Sequence, residues 1–279
     1  MAATTQRASL SPLPGQAGRA GIAGTLRSEF TKIRSVRSTY WTLFALFVVS
    51  VGLGAAITGE TAANWSKMSV LERATFDPTQ DSLVGLLFLG QLVIVVLGAL
   101  TLTSEYSTGM IRTSLSAMPR RGMFYGAKAA VLAATTLTAA LVISFVTFFV
   151  GQALLGSTNE AATLSQPHVV RAVIGSALYV ALCGLFAYGI GAILRHTAGA
   201  ITTAIGILFV LPIIVNFLPH AWNIEVTRWL PSAAGTAISA TKVTAHPHMF
   251  PPWGEFAVIG AYTLALLIAG AILFRSRDA

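Results

Sequence analysis

Six stretches of the chain run without an acidic or basic side chain, histidine aside, for long enough to cross a bilayer. They hold 22 residues between Arg37 and Glu60, 23 between Asp81 and Glu105, 31 between Lys128 and Glu160, 23 between Arg171 and Arg195, 28 between His196 and Glu225, and 19 between Glu255 and Arg275. A helix rises about 1.5 Å per residue, so about 20 residues span the hydrocarbon. In lipid the backbone must satisfy its own hydrogen bonds, and none of these runs alternates in polarity as barrel strands of about 10 residues do. The pattern predicts an all-α integral membrane protein with transmembrane helices near 40–59, 82–104, 129–155, 172–194, 198–219 and 255–274.

Composition narrows the class. The chain is 54% hydrophobic and 10% charged, with a mean hydropathy of +0.72, where soluble domains carry about 25% charge. The lone cysteine, Cys183, excludes an intrachain disulfide, and no Cys/His spacing suits a metal. His246 and His248 lack thiol or carboxylate support, so neither a metal nor a catalytic site is expected. The net charge of +8 matters here through its placement and not as a nucleic-acid signal. Thirteen of the eighteen Lys and Arg fall on the side of the N-terminus, giving that side +10 and the other −2. The positive side is cytoplasmic by the usual loop bias, which places both termini inside. The region of about 40 residues before the first run is too long for the n-region of a cleaved signal peptide.

Residues 1–21, rich in Ala, Gly, Pro and Ser, read as a disordered cytoplasmic tail ahead of a membrane domain over 22–279. In residues 22–39, Leu26, Phe30, Ile33 and Val36 recur at helical spacing, with Arg27, Lys32, Arg34 and Arg37 off that stripe. This predicts an amphipathic N-terminal helix in the headgroup region, followed by Tyr40 and Trp41 as interface anchors. A solvated basic tail is the alternative. The external segments are 60–81, 156–171 and 220–253, and 195–197 is a tight cytoplasmic turn. Within the last external segment, WLPSAAGTAIS at 229–239 is either a re-entrant helix shielded by protein or a plain loop.

Residues 104–122, SEYSTGMIRTSLSAMPRRG, interrupt the apolar pattern with a helix of their own. Ile111, Leu115 and Met118 form a stripe over roughly three turns. Ser107 or Thr108 can cap its start, and Pro119 ends it. Arg112 leaves the stripe, and Arg120 and Arg121 crowd the exit. Glu105 and Lys128 mark the flanking membrane entries and are placed for an ion pair.

LRSEFTKIRSVRSTYW at 26–41 and TSEYSTGMIRTSLSAMPRRGMFYGAK at 103–128 resemble the permease subunits of type-2 ATP-binding-cassette (ABC) exporters of actinobacteria. Ser28, Glu29, Lys32 and Arg34 match the family's lead-in; Glu105, Tyr106, Gly109, Ile111 and Arg112 match its second element; Pro119, Arg120, Arg121 and Lys128 match its third. The resemblance spans 22–277 and implies a multi-pass protein of the bacterial plasma membrane. It implies that the lead-in, with Glu29, Phe30, Lys32 and Arg34, is a connecting helix. It also implies that Glu105, Tyr106, Gly109, Ile111, Arg112, Leu115, Arg120 and Arg121 form the coupling element that docks on a separate ATPase. Two permeases, identical or paralogous, form the pore in that family.

No lysine here sits in a phosphate-binding loop: Lys32, Lys67, Lys128 and Lys242 follow Thr, Ser, Ala and Thr, not Gly. ATP and Mg are therefore expected on the partner, and this chain is expected to bind no cofactor and not to be an enzyme. Acids and bases are essentially missing from the expected spans, which disfavours proton coupling. By resemblance, spans two and five line the path, with Gln91, Pro212 and Asn216 as candidates; interhelical hydrogen bonding is the competing role for Gln91 and Asn216. Gly184, Gly189 and Gly191 predict close helix contacts. Two other functions remain open: a membrane scaffold or sensor, and a lipid-modifying enzyme using His196 and Glu105.

Overall fold

The computed structural model describes residues 21–35, 37–117, 120–242 and 250–276. The expected tail at 1–20 lies outside them, as do Pro119 and the His246/His248 pair. Helix α1 (Ile22–Ser35) precedes α2 (Arg37–Asn64), and a short outer helix α3 (Val70–Thr75) follows. Ser69 and Glu72 start α3 with a reciprocal capping box. Six helical segments are long and apolar enough to cross a membrane: Thr39–Lys67, Pro78–Ser107, Arg121–Thr158, Val169–Leu194, Thr197–Val215 and Pro252–Ser276.

The second segment is built from α4 (Pro78–Gly85), a π turn at Leu86–Gly90, and α5 (Gln91–Ser107). After it come α6 (Met110–Ala117), α7 (Arg121–Leu155) and α8 (Val169–Leu194). The fifth segment is α9 (Thr197–Ile205), a second π turn at Gly206–Val210, and α10 (Leu211–Val215). Two short helices, α11 (His220–Thr227) and α12 (Ala233–Ser239), lead to α13 (Pro252–Ser276). The predicted spans are all present but displaced at their ends. Span five stops at Val215 and not at 219, and span three starts at Arg121 because Lys128 is inside the helix and not at its mouth.

Helix α8 is the hub, packed against α5, α7 and α13. Small residues allow this. A Cβ on Gly98 would lie 2.1 Å from the carbonyl oxygen of Gly184, so α5 and α8 touch backbone to backbone. Gly189 and Gly191 likewise meet α13 and α5, as their spacing predicted. The same device joins α2 to α4, where a Cβ on Gly85 would lie 2.1 Å from the Ser50 carbonyl oxygen.

At the end away from α1, Asp77 caps α4 through the amides of Thr79 and Gln80, both at 3.1 Å. Its carboxylate also accepts from Thr241 and from the Lys242 amide at 3.0 Å, pinning the segment after α12. Within 229–239, Ala233–Ser239 are helical and packed on α8 and α13. Ala234 and Ile238 are fully buried, Ile238 filling the notch at Gly175 of α8 and Gly235 abutting the Tyr179 ring.

Gly98→Val should separate α5 from α8 and cost about 3 kcal/mol or more by overpacking. Gly126→Ala, at a helical position with no atom within 4 Å of the added Cβ, should be neutral or slightly stabilising. Thermal unfolding of both variants in detergent micelles checks the contrast.

Candidate functional site

The end of the bundle that carries α1 and α6 also holds the 195–197 turn and the end of α13. Arg195 lies over the Tyr106 ring at 5.2 Å and donates to the Leu273 carbonyl at 3.3 Å. His196 is a helix cap: its Nδ1 accepts from the Gly199 amide at 3.1 Å. That contact is local, and it joins His196 to no other group of the kind an enzyme would assemble.

Helix α5 ends at Ser107, and Thr108 and Gly109 turn the chain into α6. The hydroxyls of Ser107 and Thr108 donate back to the Ser104 carbonyl at 3.0 and 2.8 Å. They close the end of α5, where the sequence had suggested a cap for α6. Gly109 has a φ of +70°, a left-handed value that costs other L-residues about 1–2 kcal/mol. Among the described residues helix α6 spans Met110–Ala117, and Met118, the last residue of the expected stripe, lies outside them. Ile111 anchors it at 3% exposure in a small core with Leu102, Phe124, Leu132, Tyr188 and Phe274. Met110, Thr113 and Ser116 face outward. Arg120 is exposed just before α7, and Arg121 is half-buried in its first turn. The side chains of Arg34, Arg112 and Leu115 lie outside the described residues.

Beneath α6 is a buried ion cluster. Lys128 Nζ donates to Glu105 Oε1 and to Glu29 Oε2, each at 2.7 Å. Lys32 Nζ donates to Glu29 Oε1 at 2.7 Å and lies 3.6 Å from Glu105 Oε1. Glu29, Glu105 and Lys128 are 3%, 6% and 5% exposed. The sequence placed Glu105 opposite Lys128 but gave that pair no third partner and put no charge inside a span. The third member comes from α1, whose inward face is polar. Glu29 points into the bundle, Lys32 reaches the same cluster, and Phe30 points out at 54% exposure. At Phe30 the apolar stripe faces away from the bundle, and pairing Glu29 with Lys128 fixes that rotation of α1. A lipid surround imposes no penalty on an outward phenyl ring.

Burial pushes the Glu29 carboxyl up, but the Lys128 and Lys32 ammonium groups outweigh it, so Glu29 titrates below its ordinary 4.5. Burial likewise pulls the Lys32 ammonium down, and Glu29 and Glu105 outweigh that, leaving it above its ordinary 10.5.

The path candidates scatter. Gln91 is buried against Tyr179 and Cys183 between spans two and four. Asn216 closes α10 and accepts from Asn223 of α11 at 3.4 Å. Pro212 follows the π turn of span five, where a missing N–H breaks the regular ladder. The two π turns meet: the rings of Phe88 and Phe209 pack edge to face at 5.9 Å.

Six apolar spans, a bracket helix between the second and third, and an N-terminal helix clamped to both spans define a polytopic membrane protein. The chain belongs to the ABC-2 family of transporter proteins, whose family model matches residues 25–214, from α1 through span five. It is thus a membrane permease of an ABC transporter, a family in which ATP hydrolysis normally resides in a partner subunit. Among curated proteins, none matches the chain.

Lys128→Met leaves two buried carboxylates facing each other and should cost about 3–5 kcal/mol. Glu29 titrates below its unfolded value, so its contribution is complete above about pH 4.5 and is lost as pH falls through the folded value. Melting curves should show the gap between wild type and Lys128→Met widest near pH 7 and narrowing steadily as the pH falls toward and below about 4.5, because protonation relieves the unpaired buried carboxylates of the variant.

Proposed function

We propose that this chain is one half of an exporter that moves a hydrophobic or amphipathic compound outward across the plasma membrane. A second copy or a paralogue supplies the other half. A separate ATPase, which holds ATP and Mg, supplies the energy. The excess of Lys and Arg at the α1/α6 end supports a cytoplasmic position for that end. The ATPase docks there on the outward face of α6, with Arg112, Arg120 and Arg121 nearby. Export direction and cargo class follow from the resemblance to type-2 exporters.

The observation that carries this reading is the buried cluster of Glu29, Lys32, Glu105 and Lys128. It binds α1 to the roots of spans two and three, the same spans that grip α6. A push on α6 or α1 therefore loads both spans together. The π turns of spans two and five, with Pro212 beside the second, are the weak points where those spans bend and open a path between them.

The test is transport and substrate-stimulated ATP hydrolysis in proteoliposomes holding this chain and the ATPase that co-purifies with it. Arg112→Ala should lower transport by about tenfold or more, with membrane insertion and basal hydrolysis retained. Normal transport by that variant contradicts the coupling role. Failure of any ATPase to co-purify favours the scaffold or sensor.

A further inference from the structure

The outward face of spans one and three carries a groove of about 460 Å³ between α1, α2 and α7. Phe30, Leu43 and Phe47 form one wall, and Ala134, Ala139 and Val142 form the other. Phe30, Phe47 and Val142 are exposed, so the groove opens away from the bundle. The polar side chains in it are Thr135 and Thr138. Their hydroxyl protons go to the carbonyls of Val131 and Ala134 on the same helix, both at 2.8 Å. The groove therefore offers no side-chain donor to an occupant, and it suits an alkyl chain.

Its mouth is charged. Helix α1 runs beside α7 in the same direction: Thr25 Oγ1 lies 3.7 Å from Met123 Sδ, Glu29 pairs with Lys128, and Phe30 shares the groove with Ala134. Along that direction Arg27 comes one turn before Phe30, toward the headgroups, and residues three apart share a helix face. Arg27 is exposed, and its guanidinium has no hydrogen-bond or ion-pair partner among the described residues. Arg37, which opens α2 one turn before the exposed Tyr40, is exposed and unpaired in the same sense. Glu29, the one acid of α1, is turned inward to Lys128 and Lys32 and cannot answer either cation. Tyr40 and Trp41 mark headgroup depth on α2. A guanidinium at that depth holds phosphate oxygens through charge-assisted, bidentate hydrogen bonds.

Two occupants fit an apolar groove in a span: a lipid chain or a helix of a second copy. Charge decides between them. A second copy carries the same excess of Lys and Arg at this end, whereas an anionic phospholipid supplies what Arg27 and Arg37 lack. We propose that the groove is a binding site for an anionic phospholipid of the leaflet on the α1/α6 side. The phosphate sits on Arg27, Arg37 completes the positive mouth, and one acyl chain lies between Phe47 and Val142. The lipid then holds α1 from outside as the ion cluster holds it from inside.

Native mass spectrometry of the purified full chain, released from maltoside micelles with phosphatidylglycerol or phosphatidylcholine added, tests this. It uses neither ATP nor a partner, so its outcome is independent of the exporter reading. One phosphatidylglycerol per chain should be retained at a concentration about tenfold below that needed for phosphatidylcholine, as two arginines at a lipid surface allow. Arg27→Gln should weaken phosphatidylglycerol about fivefold and leave phosphatidylcholine unchanged. Lys67→Gln removes the same charge at the opposite end of the bundle and should change neither lipid. Ala134→Trp fills the groove from an exposed position and should abolish the tight phosphatidylglycerol in a protein that still melts like wild type. Equal retention of the two lipids by wild type, a loss in Lys67→Gln as large as in Arg27→Gln, or undiminished retention in Ala134→Trp overturns the proposal. A wild-type dimer that Ala134→Trp splits into monomers also overturns it, because a second copy then fills the groove.

Discussion

The arrangement at the α1/α6 end depends on one ammonium group held between two carboxylates. Lys128 lies within the helix of span three and is 5% exposed, where an unpaired charge would be very costly. Glu105 of span two and Glu29 of α1 neutralise it at 2.7 Å each. Once that pairing is required, much else is fixed. Helix α1 must lie against α7 with its polar face inward, Phe30 must turn out, and the roots of spans two and three cannot separate without exposing buried charge. Buried ionic groups of this kind specify geometry more than they add stability.

The rest of the bundle is held by close contact, because lipid supplies no hydrophobic drive between helices. Gly98 against Gly184 and Gly85 against Ser50 bring backbones together around α8 and α2. The departures from this tight packing fall at the π turns of spans two and five, which meet through Phe88 and Phe209. A clamped end, a close-packed hub and two adjoining weak turns form a mechanical series. In the proposed coupling, force delivered at α6 enters span two below its π turn, and that turn meets the one in span five.

The six spans were legible because charge-free runs of 19 or more residues have few other readings, and Gly184, Gly189 and Gly191 announced close contacts by their spacing. The Glu105–Lys128 pair was open from the places of both residues at two membrane entries, but spacing alone could not show it. Glu29 was not, because periodicity marks the apolar face of α1 without saying which polar residue on the opposite face meets the bundle. A signal was there in Lys128, a lone charge immediately before 31 uncharged residues that would need more than one partner if drawn inward. The end of span five was missed because Pro212 and Asn216 look like span interior by composition, whereas Asn216 closes the helix.

The central claim is that the cluster makes α1 and the α5–α6–α7 bracket a single rigid unit. Spin labels on Thr31 of α1 and Ser116 of α6, both exposed, report it through the distance distribution between them in nanodiscs. A narrow distribution in the wild-type background that broadens in Lys128→Met is the expected result. The same distribution in both proteins would contradict it.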